Sequence, residues 1–343
     1  MSLFKGPMRQ HIPGHKELSD HVDIMEVKAG SKVFIPLICG PSVNLEILVK
    51  EGDHVSIGTK VAQSNERNVV PIFASVSGTV AGTQKLMHSS LKPVEHLVIE
   101  NDGLYERVRS FEPLDYKSAD RTALIDFMMN AGIIGLGGAG FPAYIKYKFA
   151  KDVKKLIINA VECEPFITAD YKMIQAHKVE FVTGVAAMKK MAMAPEAVIA
   201  IKKTHPDLIQ FVEEAVKGME GFSVAAVPDV YPMGWERVLV REIMHAEYEK
   251  LPGEVGAIVN NATTAIAFGD ALLTGTPIVS KTLTVSGNAI KKPVNVQVPV
   301  GVPVSEIVAA CGGYTCEDVR LIAGGPMMGK TIVNDKFVID RNM

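Results

Sequence analysis

Residues 126–171 read DFMMNAGIIGLGGAGFPAYIKYKFAKDVKKLIINAVECEPFITADY, and the fold turns on how this stretch is taken. Within it, Gly135-Leu-Gly137-Gly138-Ala-Gly140 satisfies G-x-G-x-x-G. A dinucleotide turn needs a strand before those glycines and a helix after them. The helix is expected: Pro142 suits a first helical position and Ala143 to Ala150 continues well. The strand is not, because Ala119 to Ala131 reads as an amphipathic helix with Leu124, Ile125, Phe127, Met128 and Met129 among polar residues. The loop therefore joins helix to helix, and a standard Rossmann turn is not the expectation.

A phosphate site survives that correction. Glycines let backbone N–H groups approach an anion closely because no Cβ intervenes. A helix N-terminus just after them adds partial positive charge and free donors. Lys146 lies one turn inside that helix. The bland alternative is a tight interhelical turn without a ligand, which for a lone glycine-rich loop is favoured at about two to one.

The second half of the stretch shifts that balance. Lys154 to Ala160 (KKLIINA) suits a buried parallel strand. It delivers Asn159, Glu162 and Glu164 beyond its carboxyl end, where ligands of open α/β sheets bind. Two carboxylates and an amide suit hydroxyls, ring nitrogens or a ribose and repel a phosphate. The ligand is then phosphate at one end and polar at the other, as flavin mononucleotide (FMN) is.

The rest of the chain gives that site a frame. Strand-like runs lie at Lys32–Ile38, Val43–Val49, Lys60–Gln63, Val69–Phe73 and Ser75–Val80, punctuated by Gly and Pro. The phrases VKEGDHVSIGTKVA (49–62) and PIFASVSGTVAG (71–82) resemble barrel-sandwich modules that carry biotin or lipoate, but Ala74 to Ser77 offers no carrier lysine. The module is therefore expected to be structural. A helix over Tyr171–Met193, a strand at Ala197–Ile201, a helix over Pro206–Met219 and a strand at Phe222–Val227 imply βαβ units and a parallel sheet. Two further strand-to-helix junctions follow: Pro228 to Glu236, with Gly234 and a helix from about Trp235, and Gly256–Val259 running into Asn260, Asn261 and Thr264. The asparagines there also suit plain helix caps. From Pro277 the grain returns to strands at Ile278–Val285 and Val294–Val300, then a helix at Val304–Cys311 and a strand at Val319–Ala323.

Composition sets outer limits. The chain has 343 residues, 48% hydrophobic, with net charge -2. That suits two or three soluble domains and leaves no nucleic-acid footprint. No apolar run of about 18 residues is present, and no signal-peptide pattern. Cys39, Cys163, Cys311 and Cys316 lack C-x-x-C spacing, so neither disulfides nor an iron–sulfur set is expected. The 16 methionines read as core filler. His11, His15 and His21 invite a metal, but Pro13 and Gly14 break a shared helix face, and no metal site is expected.

GLGGAGFPAYIKY (135–147), NAVECEPFITAD (159–170), YPMGWERVL (231–239), VNNATTAIAFGDALLTGTPI (259–278) and AGGPMMG (323–329) together resemble the RnfC family. RnfC is the peripheral subunit of the ion-pumping Rnf electron-transport complex, related to the flavin-carrying, NADH-oxidising subunit of respiratory complex I. The motifs span roughly residues 130 to 330 in the family's order, and the N-terminal third is also similar. The resemblance implies an α/β multidomain fold. An arm (1–30) leads into a β barrel-sandwich domain (31–112), a central parallel-sheet, Rossmann-like FMN-binding domain (113–275) and a C-terminal β-grasp, soluble-ligand-binding (SLBB-like) domain (276–343). It implies noncovalent FMN with its phosphate on Gly135, Gly137, Gly138 and Gly140, paired to Lys146. Asn159, Glu162 and Glu164 would hold the ribityl chain, the ring edge or an incoming nicotinamide nucleotide. Gly234 and Glu236 belong to a YP-x-G-x-E segment on the flavin. Asn260, Asn261 and Thr264 match residues on the phosphate and ribityl chain in the complex I relatives. Phe141, with Glu164, faces NADH.

The activity so implied is that of an NADH:ferredoxin-type oxidoreductase, peripheral on the inner face of the cell membrane. Its partners would be other Rnf subunits, NAD(H) and, indirectly, ferredoxin. No catalytic side chain is assigned, since the flavin performs the chemistry. Family members continue into a ferredoxin-like segment with two four-cysteine sets for 4Fe-4S clusters; this sequence has none, and truncation is the favoured explanation. Trp235 fills a slot where the family has a small residue. Two other readings stay open: a non-catalytic docking subunit whose flavin pocket is empty, and a soluble RnfC-like carrier to an amino-acid reductase.

Overall fold

The computed structural model describes residues 12–343 apart from Pro41 and Arg67. Eight strands open the chain: β1 (Met25–Glu26), β2 (Lys32–Pro36), β3 (Glu46–Ile47), β4 (His54–Val55), β5 (Lys60–Gln63), β6 (Ile72–Phe73), β7 (Gly78–Met87) and β8 (Pro93–Asn101). All but β1 form two antiparallel sheets, β2-β8-β7-β4 and β3-β5-β6, that make up the barrel sandwich. The runs expected at Val43–Val49 and Val69–Phe73 shrink to two-residue strands, and the long β7–β8 hairpin carries most of the pairing. Gly78 permits that hairpin: at φ +151°, a Cβ there would lie 1.9 Å from the Glu100 carbonyl oxygen.

The central layer begins with α1 (Arg121–Asn130), capped by the Asp120 carboxylate accepting from the Ala123 N–H at 2.8 Å. The glycine loop follows, then α2 (Tyr144–Lys148), β9 (Lys155–Ala160), α3 (Ala169–Ala176), α4 (Lys178–Ala192), β10 (Glu196–Lys202), α5 (Pro206–Ala215), β11 (Phe222–Val227), α6 (Glu236–Met244), β12 (Ala257–Asn261) and α7 (Ala262–Thr274). Two expected helices change. The one placed at Ala143–Ala150 is only α2, which ends at Lys148, while ahead of it the Ala143 N–H donates to the Ile133 carbonyl and Pro142 bridges Ile134. The long helix at Tyr171–Met193 breaks at His177, whose non-helical backbone (φ -124°, ψ 51°) ends α3 and starts α4. Ile174 on α3 and Phe181 on α4 are both buried in the core.

The sheet is fully parallel, in the order β11-β10-β9-β12. The chain steps outward from β9 to β11, then returns to lay β12 on the other flank of β9. The order therefore reverses between β9 and β12, where Asn159 pairs in register with Asn261 at the carboxyl ends. Such a switch point is where open α/β sheets bind ligands. Helix α7 is held hard against α4: a Cβ at Gly184 would lie 1.8 Å from the Ala265 carbonyl oxygen, and one at Gly269 1.8 Å from that of Glu180.

Then come β13 (Ser280–Val285), β14 (Val294–Pro299), α8 (Val304–Ala310), β15 (Leu321–Ala323) and β16 (Lys330–Ile332). The segment expected as an irregular arm contributes β1, which pairs in parallel with β14. Val33, Ile35 and Ile99 share one core with Val296, Val298, Val302 and Ile339. The two ends of the chain thus pack together and flank the central sheet. Among the described residues no helix is long and apolar enough to cross a membrane.

Candidate functional site

The glycine loop lies over the switch point. It closes through Gly135 N–H to the Phe141 carbonyl at 2.9 Å and Ala143 N–H to that of Ile133 at 3.0 Å. Leu136 pins it from both sides. Its N–H donates to Thr264 Oγ1 at 2.9 Å, and its carbonyl accepts from Lys281 Nζ at 2.9 Å. Two glycines answer to neighbours in the protein itself. A Cβ at Gly137 would fall 2.6 Å from Asn261 Nδ2, and one at Gly140 (φ +65°) 2.7 Å from Asn342 Nδ2. Around Gly138 the space is open, and Gly137, Gly138 and Ala139 are exposed. None of the exposed Gly137, Gly138 and Ala139 N–H groups donates a hydrogen bond of ordinary geometry to another described residue, while the buried Gly140 closes the turn. That is a cradle of free donors.

Beside it starts α7. Asn261 is its cap: the side-chain oxygen accepts from Thr263 N–H at 2.8 Å and Thr264 N–H at 3.4 Å. Asp170 then steadies the cap, accepting from Asn261 Nδ2 at 2.5 Å and from the Thr263 hydroxyl. Asn260 is buried and donates to the Tyr147 hydroxyl at 2.5 Å.

The acidic loop after β9 is built by both ends of the chain. Lys16 places all three ammonium donors on it, bonding the carbonyls of Glu162 (2.8 Å), Glu164 (2.9 Å) and Ile167. His15 stacks on Phe166 with centroids 4.7 Å apart, and the Phe166 N–H donates to Gly14. From the other side Thr284 accepts from the Thr168 N–H at 2.9 Å. These contacts hold Glu162 (φ +43°) and Phe166 (φ +67°) in left-handed backbone that side chains disfavour. Burial raises the Glu162 carboxyl to about 8, against the pull of Lys16; one oxygen accepts from the Asp170 N–H at 2.8 Å. Burial likewise lowers the Lys16 ammonium, and nearby Glu162 opposes that shift.

Glu164 turns outward to a third element. Its Oε2 accepts from the Met327 N–H at 3.1 Å, in the turn joining β15 to β16, while its Oε1 is buried with no partner. Gly325 packs so tightly that a Cβ there would lie 2.0 Å from Oε2.

Lys146 does not face the glycine loop with a free ammonium. It donates to the Val259 carbonyl at 2.6 Å and lies 3.8 Å from Glu236; burial lowers its pKa and Glu236 opposes the shift. Asn159 donates to the Gly234 carbonyl at 2.8 Å and accepts from the Val161 N–H at 3.1 Å. Phe141 is 41% exposed, and Trp235, 46% exposed, meets Tyr231 edge-on. The contacts thus link the expected residues, Gly138 and the Phe141 side chain apart, around the carboxyl ends of β9 and β12. Of the three histidines, His15 lies on Phe166 and His11 is outside the described residues.

Three residues of this site escaped sequence reasoning: Lys16, Asp170 and Lys281. Asp170 stood inside the quoted stretch, one residue ahead of the helix expected from Tyr171. Lys281 left a trace, since period two puts it on the strand face of Leu283 and Val285, where a lysine is out of place. Lys16 left none.

Comparison with known proteins fits this geometry. Residues 4–104 match the RnfC barrel sandwich hybrid domain, 128–269 the Nuo51 FMN-binding domain and 282–331 the SLBB domain. The chain is 33% identical over 342 residues to the C subunit of the Na(+)-translocating ferredoxin:NAD(+) oxidoreductase complex of Acetobacterium woodii, covering 98% of this chain and 76% of that protein. It belongs to the RnfC family. A second RnfC relative, the C subunit of the proton-translocating ferredoxin:NAD(+) oxidoreductase complex of Clostridium ljungdahlii, is 34% identical, with 96% of this chain and 72% of that protein covered. The C subunit of the ion-translocating oxidoreductase complex of Rhodobacter capsulatus is 33% identical, with 96% and 65% covered. Among solved structures, an NAD+-reducing [NiFe]-hydrogenase in the air-oxidized state aligns at TM-score 0.54 and 21% identity, over 64% of this chain and 47% of that one. At that identity the likeness speaks for the fold alone.

Proposed function

We propose that this RnfC-family chain binds FMN noncovalently at the β9/β12 switch point and serves as an electron-transfer subunit of an Rnf-type complex. The observation that carries the reading is the row of exposed N–H groups at Gly137 to Ala139 with no partner of ordinary hydrogen-bond geometry, set over the N-terminus of α7. Those donors fit a phosphate monoester, and the open space at Gly138 admits one. A bound flavin would supply hydride acceptance from NADH and single-electron release. The protein's part is positional. Thr264 holds the loop, Asn261 and Asp170 fix the helix end beneath it, and Lys146 and Asn159 tie the strand ends together. Glu162, its carboxyl raised by burial and accepting from the Asp170 N–H, braces the loop behind the site. To Glu164 and the exposed Phe141 we assign the contact with a nicotinamide nucleotide.

We further propose, from the family resemblance, electron exchange between NAD(H) and ferredoxin through 4Fe-4S clusters and attachment to other Rnf subunits at the inner face of the cell membrane. One observation favours a docking role instead. Lys146, Asn159, Asn260 and Asn261 already have protein partners, and Met327 covers Glu164.

Anaerobic titration with FMN and then NADH decides between them. The flavin reading expects saturable quenching of FMN fluorescence with one site per chain, followed by bleaching of the bound flavin by NADH. A purified chain that leaves FMN fluorescence unchanged at high micromolar flavin supports docking.

A further inference from the structure

The glycine loop has a buried cation on its underside, and it is not the lysine the motif supplies. Lys281, on β13, is 7% exposed, and its ammonium makes one hydrogen bond among the described residues, to the Leu136 carbonyl at 2.9 Å. No carboxylate lies within ion-pair distance among the described residues. An ammonium has three donors, and a buried charge without a close counter-ion is costly. Geometry suggests what this one does. The Leu136–Gly137 peptide is trans, so its carbonyl and N–H point opposite ways. With Leu136 held by Thr264 at its N–H and by Lys281 at its carbonyl, the Gly137 N–H is aimed away from Lys281, on the exposed side of the loop. A cation bonded to the carbonyl polarises that peptide and makes its N–H a stronger donor.

We infer that Lys281 is a positioning residue for an anion of the phosphate monoester class: through the Leu136–Gly137 peptide it orients and strengthens the loop donors, and the bound anion offsets its buried charge. This rests on the flavin reading only as to which phosphate ester is bound.

The groups that bear on Lys281 are Asp170 from α3 and Asp340 from the C-terminal segment, the latter bonded to His88. Burial lowers the Lys281 ammonium to about 8, against the pull of both carboxylates. It is therefore charged at neutral pH and loses its proton as pH rises through about 8. A phosphate monoester is already close to dianionic there, its second pKa being about 6. Affinity for the phosphate end should then fall with pH. Glu162 titrates in the same range, so the comparison is made between proteins that share it.

The test measures FMN and riboflavin binding by flavin fluorescence, with inorganic phosphate as competitor, for the unmodified chain, Lys281→Met and Lys281→Arg. We expect Lys281→Met to weaken FMN about tenfold, a difference of about 1.4 kcal/mol, while riboflavin changes less than about threefold. Lys281→Arg should restore FMN affinity. Between about pH 7 and about pH 9.5 the FMN-to-riboflavin preference should fall for the unmodified chain and much less for Lys281→Arg, which stays charged. A folded Lys281→Met protein with an unchanged preference overturns the inference. If that variant does not fold, identical pH profiles for the unmodified chain and Lys281→Arg overturn it. Phosphate binding that depends on Lys281, without flavin binding, leaves the inference standing and sinks the flavin reading; no binding of either ligand sinks both.

Discussion

Lys16 is the residue on which the acidic loop depends. Its ammonium fills three carbonyls at once. Replacing it by methionine strands those acceptors, and Lys16→Met should lower stability by about 3 kcal/mol in urea unfolding. Unfolding unchanged within about 0.5 kcal/mol would mean that water replaces the lysine at no cost. Glu162 gives a pH test. Its carboxyl is held above the ordinary 4.5, at about 8, so the folded state binds a proton that the unfolded chain has already lost. The stability this contributes is present below about pH 4.5 and drains away as pH rises toward about 8. Glu162→Gln should flatten the decline, read from urea midpoints at several pH values; a parallel decline in both proteins would contradict the shift. At this scale the sequence was half legible. Glu162 and Glu164 stood out as carboxylates at a strand end, but the cation that holds their loop comes from 146 residues away.

Among the elements, the crossing of α4 and α7 admits no side chain at its contact. Gly184→Ala or Gly269→Ala drives a methyl to within 1.8 Å of a backbone carbonyl. Each should cost at least about 1–3 kcal/mol by overpacking. Because α7 opens at Asn261, a shifted α7 also carries the site with it, so ligand affinity should drop with the melting temperature. An alanine variant that melts like the parent would rule out the close crossing. The β15–β16 hairpin is the contrasting case, a small element docked by one turn. Gly325→Ala would set a Cβ 2.0 Å from Glu164 Oε2. We expect faster amide exchange confined to Leu321–Ile332, with the central sheet unaffected; exchange unchanged in that hairpin would show the turn absorbs the methyl. Period and punctuation made most elements legible in the sequence: β9, β10, β11 and β12 lie within two residues of expectation. The break at His177 was not, because the apolar spacing runs on through it: Ile174 and Phe181, seven apart, would share a face of one unbroken helix.

At the scale of the whole molecule, the chain's two ends meet. His88 Nε2 bonds the Asp340 carboxylate at 2.8 Å, both side chains buried, and Arg341 reaches the carbonyls of Pro71 and Ile38. Asp340→Ala leaves His88 without its partner and should cost about 3–5 kcal/mol if the pair is charged. Loss of less than about 1 kcal/mol in thermal or urea unfolding would show the clasp to be idle. The sequence by itself determined the alternation of strands and helices, the glycine loop, and the carboxylates and asparagines at the strand ends, because those features follow from periodicity and from neighbours a few positions apart. Only the tertiary structure decided what completes the site. Lys16 and Lys281 enter from opposite ends of the chain to take loop carbonyls that local structure leaves unpaired, and a buried acceptor takes whatever donor the packing brings, wherever it lies in sequence.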